Sequence, residues 1–299
     1  FIKSRNQSMW MRMLVNQVVR QAAEDKVKGF LMDTVQGQGN AADGGELTPE
    51  DLKCDVLLVF GSRSEAGGWV DQVEQVQSWP MDEAILYRGQ SGGHRCLAVE
   101  AKGEATNCAF LSQLLPLAQP RLVVVAGFAV ALSPDLGRRA ILLATTMKAQ
   151  GVSEPVQSEV RFGEMEDDSK AGVFGGVGLS RSDFPKPGAA RVSLCHETEA
   201  RFCDPDGFEV ARVCAEAKLP WVVVRVLTER SDDNLSLPLK SLLSQESVSA
   251  KVGAAVSALW NEPKSATELW KVHEDAVKAS DRLAKFLSVF LAGLEQDSA

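Results

Sequence analysis

Glu65, Asp206 and Glu229 stand where apolar stretches give way to turns, and Arg225 interrupts one such stretch from within. Glu65 follows the run DVLLVF at 55–60 and the turn GSRS. Asp206 lies in CDPDGF at 203–208, just ahead of an apolar-periodic segment, and Glu229 follows the run PWVVVRVL at 220–227. Carboxyl groups set this way can orient a water, hold sugar hydroxyls or assist a leaving group with a proton. Each also has an ordinary structural use. Glu65 and Asp206 suit the first turns of helices, where a carboxylate complements the dipole. Glu229, beside Arg230 and near Asp232 and Asp233, suits a solvated loop, and Arg225 suits a buried ion pair.

Other chemistries find less support. The histidines at 94, 196 and 273 are scattered and suggest no metal site. The six cysteines, Cys54, Cys96, Cys108, Cys195, Cys203 and Cys214, form no C-x-x-C pair. Most sit in apolar runs, as buried thiols of a reducing compartment do. The stretch GVFGGVGLSRSD at 172–183 contains a G-x-G but not the rest of a dinucleotide fingerprint, and reads as a tight strand boundary. No organic cofactor is implied. A net charge of -8 argues against a nucleic-acid partner, because phosphate backbones reward clustered Lys and Arg. A small-molecule site is unconstrained by it. No apolar run is long enough to span a bilayer, and the first residues lack the apolar core of a signal peptide, so a cytoplasmic location without membrane association is expected.

The elements that must position these side chains follow from hydrophobic periodicity. At 299 residues the chain suits one large domain with an appendage. Residues 8–32 predict an amphipathic helix, docked on its own domain or a partner, and 34–50 a Gly-rich linker. The boundary falls between an extension at 1–52 and a domain at 53–299. Strands are predicted at 55–60, 121–126, 140–146, 172–179 and 220–227, with a hairpin at 84–88 and 94–100 around RGQSGG. Helices are predicted to start in SEAGGWVDQVEQV, at 105–118, in EVARVCAEAK, and over 247–294 with a break at 261–263. Residues 152–170 read as a surface excursion. Strands alternating with helices give an α/β fold with a mixed, largely parallel central sheet flanked by helices. In such sheets ligands gather at the carboxyl ends of strands, which singles out the residues after 60, 126 and 227.

Those strand ends resemble the nucleoside phosphorylase family, and most closely its methylthioadenosine/S-adenosylhomocysteine nucleosidase branch. DVLLVFGSRSE resembles the family's opening strand and the loop ending in Glu. LVVVAGFAVALSPDL resembles a strand followed by a Gly-rich turn, commonly G-x-A-G-G-L. CDPDGFEVARVCAEAKLPWVVVRVLTE resembles the D-M-E helix start and the strand ending in R-x-I-S-D. SDDNLSLPLKSLL and the helices that follow resemble bacterial members. The likeness extends over about residues 54–294.

The resemblance implies a three-layer α/β domain that cleaves the N-glycosidic bond of a purine nucleoside or thio-nucleoside. It implies that Glu65 orients the attacking water, Glu229 assists the leaving base and Asp206 holds the ribose, with Phe128, Ala129 and Arg225 against the substrate. It also implies a homo-oligomer. Hydrolysis is favoured over phosphorolysis because a carboxylate in the nucleophile pocket repels phosphate, although Arg63 leaves phosphate open. The chain departs from the family pattern at several places. Asp206 and Glu229 each carry the other's side-chain length relative to the family. Val130 and Ala131 replace two glycines of the turn, where a β-branched residue resists positive φ. Lys102-Gly103-Glu104 stands for an earlier G-x-G. The same features fit a catalytically impaired nucleoside-binding or assembly module.

Overall fold

The computed structural model describes residues 47–101, 108–160, 168–233 and 263–294, with side chains in the last helix from 274 onward. The chain divides into units Phe1–Leu47 and Thr48–Ala299. The helix expected at 8–32, nearly all of the linker and the Lys102-Gly103-Glu104 element lie outside the described residues.

The second unit is built on a mixed sheet whose centre is parallel. Strand β1 (Val56–Phe60) pairs in parallel with β4 (His94–Ala101) on one side and β5 (Leu122–Ala131) on the other. Beyond β4 the antiparallel strands β3 (Ala84–Ser91) and β2 (Glu74–Pro80) extend the sheet. On the other side β5 pairs in parallel with β10 (Trp221–Glu229), which pairs antiparallel with β6 (Ile141–Ala149). From there β8 (Val173–Ser180) and β9 (Ala200–Asp204) lead back to the end of β5, where Val130 and Ala131 meet Cys203 and Phe202. The sheet thus closes a ring through β5, β10, β6, β8 and β9. The two-residue strand β7 (Val156–Gln157) pairs with β6.

The continuous apolar runs explain why these strands are central. Every residue of β1 is buried, as are all of β10 except Thr228. Such runs are typical of strands covered on both faces. The covering helices include α1 (Arg63–Gln72) and α5 (Pro263–Gly293), which bring Trp69, Leu283, Leu287 and Leu291 into one core with Phe60, Val124 and Val224. Helices α2 (Cys108–Ala118), α3 (Ala189–Thr198) and α4 (Gly207–Glu216) complete the described set. The α1–α5 crossing is close because Gly68 has no side chain: a Cβ there would sit 2.6 Å from the Ser280 carbonyl oxygen. The Ser280 hydroxyl accepts the Gly68 N–H at 2.8 Å and donates to the Glu65 carbonyl at 3.3 Å. That contact fixes the turn of α1 carrying Glu65.

All the predicted strands are present, and two local expectations are corrected. The helix beginning in SEAGGWVDQVEQV stops at Gln72, and Glu74–Pro80 forms β2 instead, because it pairs along β3 with a register shift between Glu74 and Gln77. The segment GFAVA is not a Gly-rich turn. It continues β5 to Ala131, held in register by Arg225 opposite Gly127 and Glu229 opposite Val130. Val130 therefore sits buried in extended backbone and meets no demand for positive φ. Strand β9 and helix α3 were not anticipated, since neither carries a strong periodic signal. The hairpin is as expected, with Gly92 and Gly93 both at positive φ, the two-residue turn that matches strand twist.

Candidate functional site

The site lies where β1 ends and its neighbours do not. Phe60 pairs with Ala126, after which β5 and β10 continue side by side to Val130 and Glu229. The step left above the end of β1 is occupied by the turn at Gly61 and by the first turn of α1, which aims Glu65 across it. The Glu65 carboxylate Oε1 accepts the backbone N–H of Phe128 at 2.7 Å. Room for this approach comes from two glycines. A Cβ on Gly127 would lie 2.3 Å from Arg225 Nη1 and 2.6 Å from Glu65 Oε1, and one on Gly61 would lie 3.1 Å from both Glu65 Oε2 and Asp206 Oδ2.

Arg225 is the hub. Its Nη2 donates to Asp206 Oδ1 at 2.6 Å, while Nε donates to Asp204 Oδ2 at 2.8 Å. Asp204 is the last residue of β9, and Asp206 caps the N-terminus of α4 without a side-chain hydrogen bond to that helix. All four side chains are buried. Burial pushes the Glu65 carboxyl up to about 7, a rise that Asp206 reinforces and Arg225 opposes. Asp204 also lies above its ordinary range, first through burial, against the pull of Arg225. Burial works against the Arg225 charge, yet Asp204, Asp206 and Glu65 together hold its guanidinium above the ordinary value. Three carboxyl groups around one guanidinium cannot all be ionised at low cost in a dry setting. The arrangement therefore includes a carboxyl that can exchange a proton near neutrality.

Three of the residues singled out from the sequence, Glu65, Asp206 and Arg225, meet here. Phe128 joins them through its backbone N–H, and its side chain is half-buried. Ala129 is buried on the same strand, and its carbonyl accepts the Thr228 hydroxyl at 3.3 Å. Glu229 stands further along β10, opposite Val130. It is four positions beyond Arg225, roughly 13 Å along an extended strand, and its Oε2 accepts Arg191 Nη2 at 2.5 Å. Arg191 is completely buried and also donates to the carbonyls of Pro185 and Arg230. Glu229 is thus neither a solvated loop charge nor hydrogen-bonded to the Arg225 group among the described residues.

Sequence reasoning missed Asp204, Ser180 and Arg191. Asp204 had a visible signal, as a second carboxylate two residues ahead of Asp206 in D-P-D. Ser180 ends a Gly-rich strand, and nothing in AARVSL marks Arg191 as a partner for Glu229. Arg63, the candidate for a phosphate contact, has its guanidinium over the Tyr87 ring at 5.6 Å and also bonded to the Tyr87 hydroxyl and, at 3.4 Å, to Glu100. The thiols of Cys54, Cys96, Cys203 and Cys214 are pushed up to about 12 by burial, which suits packing groups rather than nucleophiles. No helix among the described residues is long and apolar enough to cross a membrane.

No family model matches the sequence, and no curated protein matches it. Solved structures do match the fold. The 5′-methylthioadenosine/S-adenosylhomocysteine nucleosidase from S. pneumoniae, bound to a transition-state inhibitor, superposes with a TM-score of 0.60 at 13% identity, covering 80% of this chain and 99% of that one. The corresponding nucleosidase from Colwellia psychrerythraea, in complex with adenine, gives 0.54 at 13% identity over 81% and 95%. Futalosine hydrolase of Helicobacter pylori gives 0.51 at 15% identity over 78% and 94%. The fold is that of the nucleoside phosphorylase/nucleosidase group, with a mixed sheet flanked by helices.

Proposed function

We propose that this protein is a nucleosidase, cleaving the N-glycosidic bond of a purine nucleoside or thio-nucleoside with water as the nucleophile. The observation that carries the reading is the convergence of Glu65, Asp206 and Arg225 at the carboxyl end of β1, inside a fold shared with solved nucleosidases. Cleavage builds positive charge on the sugar and negative charge on the departing base. A carboxyl with a raised proton affinity, such as Glu65, can take a proton from water as it attacks. Asp206, held by Arg225, is suited to accept hydrogen bonds from ribose hydroxyls. Phe128 and Ala129 offer the neighbouring backbone and a half-buried ring against which a base can lie.

Hydrolysis is preferred to phosphorolysis on electrostatic grounds. The Arg225 guanidinium already faces three carboxyl groups, and Arg63 is shared between Tyr87 and Glu100. Neither offers the uncommitted cation that a phosphate dianion requires.

One observation favours a second reading. Glu229, proposed to serve the leaving base, is bound to the buried Arg191. If that pair holds in the complex, the protein binds nucleosides and releases no base. The test is to incubate the full chain with a panel of purine nucleosides and 5′-thio-nucleosides, with and without phosphate, and to quantify free base. Release without phosphate supports the nucleosidase, and phosphate-dependent release moves the protein to the phosphorylases. Nucleoside binding without release supports the binding module.

A further inference from the structure

The carboxylate of Asp204 is surrounded by donors on both oxygens, although it has no place in the roles assigned above. Its Oδ2 faces Arg225 Nε and Nη2, both at 2.8 Å. Its Oδ1 accepts the Ser180 hydroxyl at 2.5 Å and the Gly207 N–H at 3.2 Å. Ser180 is itself oriented, because its oxygen accepts the Phe208 N–H at 2.8 Å. A hydroxyl that accepts from an amide on one side has its own proton left for the other, so the Ser180 proton points to Asp204. Gly207 makes the contact possible, since a Cβ there would lie 2.3 Å from Asp204 Oδ2.

Three hydrogen bonds and the ion-pair contact of Arg225 Nη2 surround the two oxygens, a setting that suits an ionised carboxylate. Burial acts in the opposite direction, raising the proton affinity of Asp204. The donor geometry favours the anion, because a proton on Oδ2 would face the Arg225 guanidinium and one on Oδ1 would compete with the Ser180 hydroxyl and the Gly207 N–H. Glu65, by contrast, receives the Phe128 N–H and a contact from Ser62, and the charged groups facing it are Arg225 from β10 and Asp206 from the β9–α4 turn. From α5, Ser280 reaches only its backbone carbonyl.

We propose that Asp204, oriented by Ser180, is a positioning residue: it anchors the Arg225 guanidinium between Asp206 and Glu65 and leaves Glu65 as the carboxyl of the group that exchanges its proton. This deepens the nucleosidase reading and rests on it for its kinetic consequence. Asp204 touches no substrate in this account. It acts through Arg225.

The test compares wild type, D204N, S180A and S180T by carboxyl-region infrared titration of 13C-glutamate-labelled full chain, using E65Q to identify the Glu65 band. The wild-type Glu65 band titrates near neutrality. In D204N, one negative neighbour is gone and Arg225 turns to the remaining acids, so the Glu65 midpoint falls by about one unit or more. S180A shifts it in the same direction by less, because Asp204 without the hydroxyl competes for the proton, and S180T restores it. Base release follows, with kcat down about tenfold in S180A and KM within about twofold. A Glu65 midpoint unmoved in both S180A and D204N overturns the proposal. Should D204N not fold, S180A and S180T decide it alone. If wild type releases no base while the midpoints shift as described, the positioning role holds and the nucleosidase reading fails.

Discussion

The N–H of Phe128 donates to the carboxylate of Glu65 at 2.7 Å across a sequence separation of 63 residues, and this bond does the work of a missing strand. β1 pairs with β5 only as far as Phe60 and Ala126. The next amide of β5 on that side has no strand partner, and a buried N–H left open costs about 1–3 kcal/mol. A helix begun at the end of β1 supplies a side-chain acceptor instead. The catalytic candidate and the sheet's unpaired edge are therefore one structural solution.

Because burial raises the Glu65 carboxyl to about 7, stability should depend on pH through it. A carboxyl whose proton is held more tightly in the folded chain stabilises fully below its unfolded value, near 4.5. That contribution is lost as pH rises through about 7. The full span is on the order of 3 kcal/mol. Urea denaturation across this range should show stability falling toward higher pH in wild type and a flatter profile in E65Q. Equal slopes in both would place the titration elsewhere.

Gly127 should be intolerant of the smallest side chain for a purely steric reason. Its φ is not positive, yet its Cβ position is already within 2.3 Å of Arg225 Nη1. Gly127→Ala is expected to cost about 1–3 kcal/mol and to abolish nucleoside binding by displacing Arg225 and Glu65. Melting and binding measurements on G127A, with G137A as the open-space control, check both parts.

The Arg191–Glu229 pair gives a separate prediction. Removing one partner of a buried pair strands the other, so Arg191→Ala should destabilise by about 3–5 kcal/mol. Pairing it with Glu229→Gln should recover part of the loss in a double-mutant cycle. Additive losses would show that the two are not coupled. If the pair suppresses turnover, Arg191→Lys should raise base release relative to wild type; if Arg191 instead holds Glu229 for the reaction, the same variant should lower it.

How far the sequence could be read depended on whether a residue's role was local. DVLLVF, RLVVVA and PWVVVRVL announced buried strands because apolar runs between turn residues need no partner to be recognised. The strand-end rule then pointed to Glu65, Phe128, Ala129 and Glu229, while Asp206 and Arg225 followed from the family resemblance. GFAVA was misread as a turn because its extended form is imposed by β10 and β9, which are remote in sequence. Arg191 was invisible for the same reason: its partner lies 38 residues away and at the end of another strand. Linking Ser180 to Asp204 required knowing that β8 and β9 are parallel neighbours, with Ser180 opposite Asp204.

The most direct test of the central claim is free-base release from a 5′-thio purine nucleoside, without phosphate, by wild type and E65Q side by side. Wild type should release base, and E65Q should lose about a hundredfold or more of that rate, with nucleoside binding retained. Release by E65Q at the wild-type rate would remove Glu65 from the reaction, and no release by wild type from any nucleoside would contradict the nucleosidase itself.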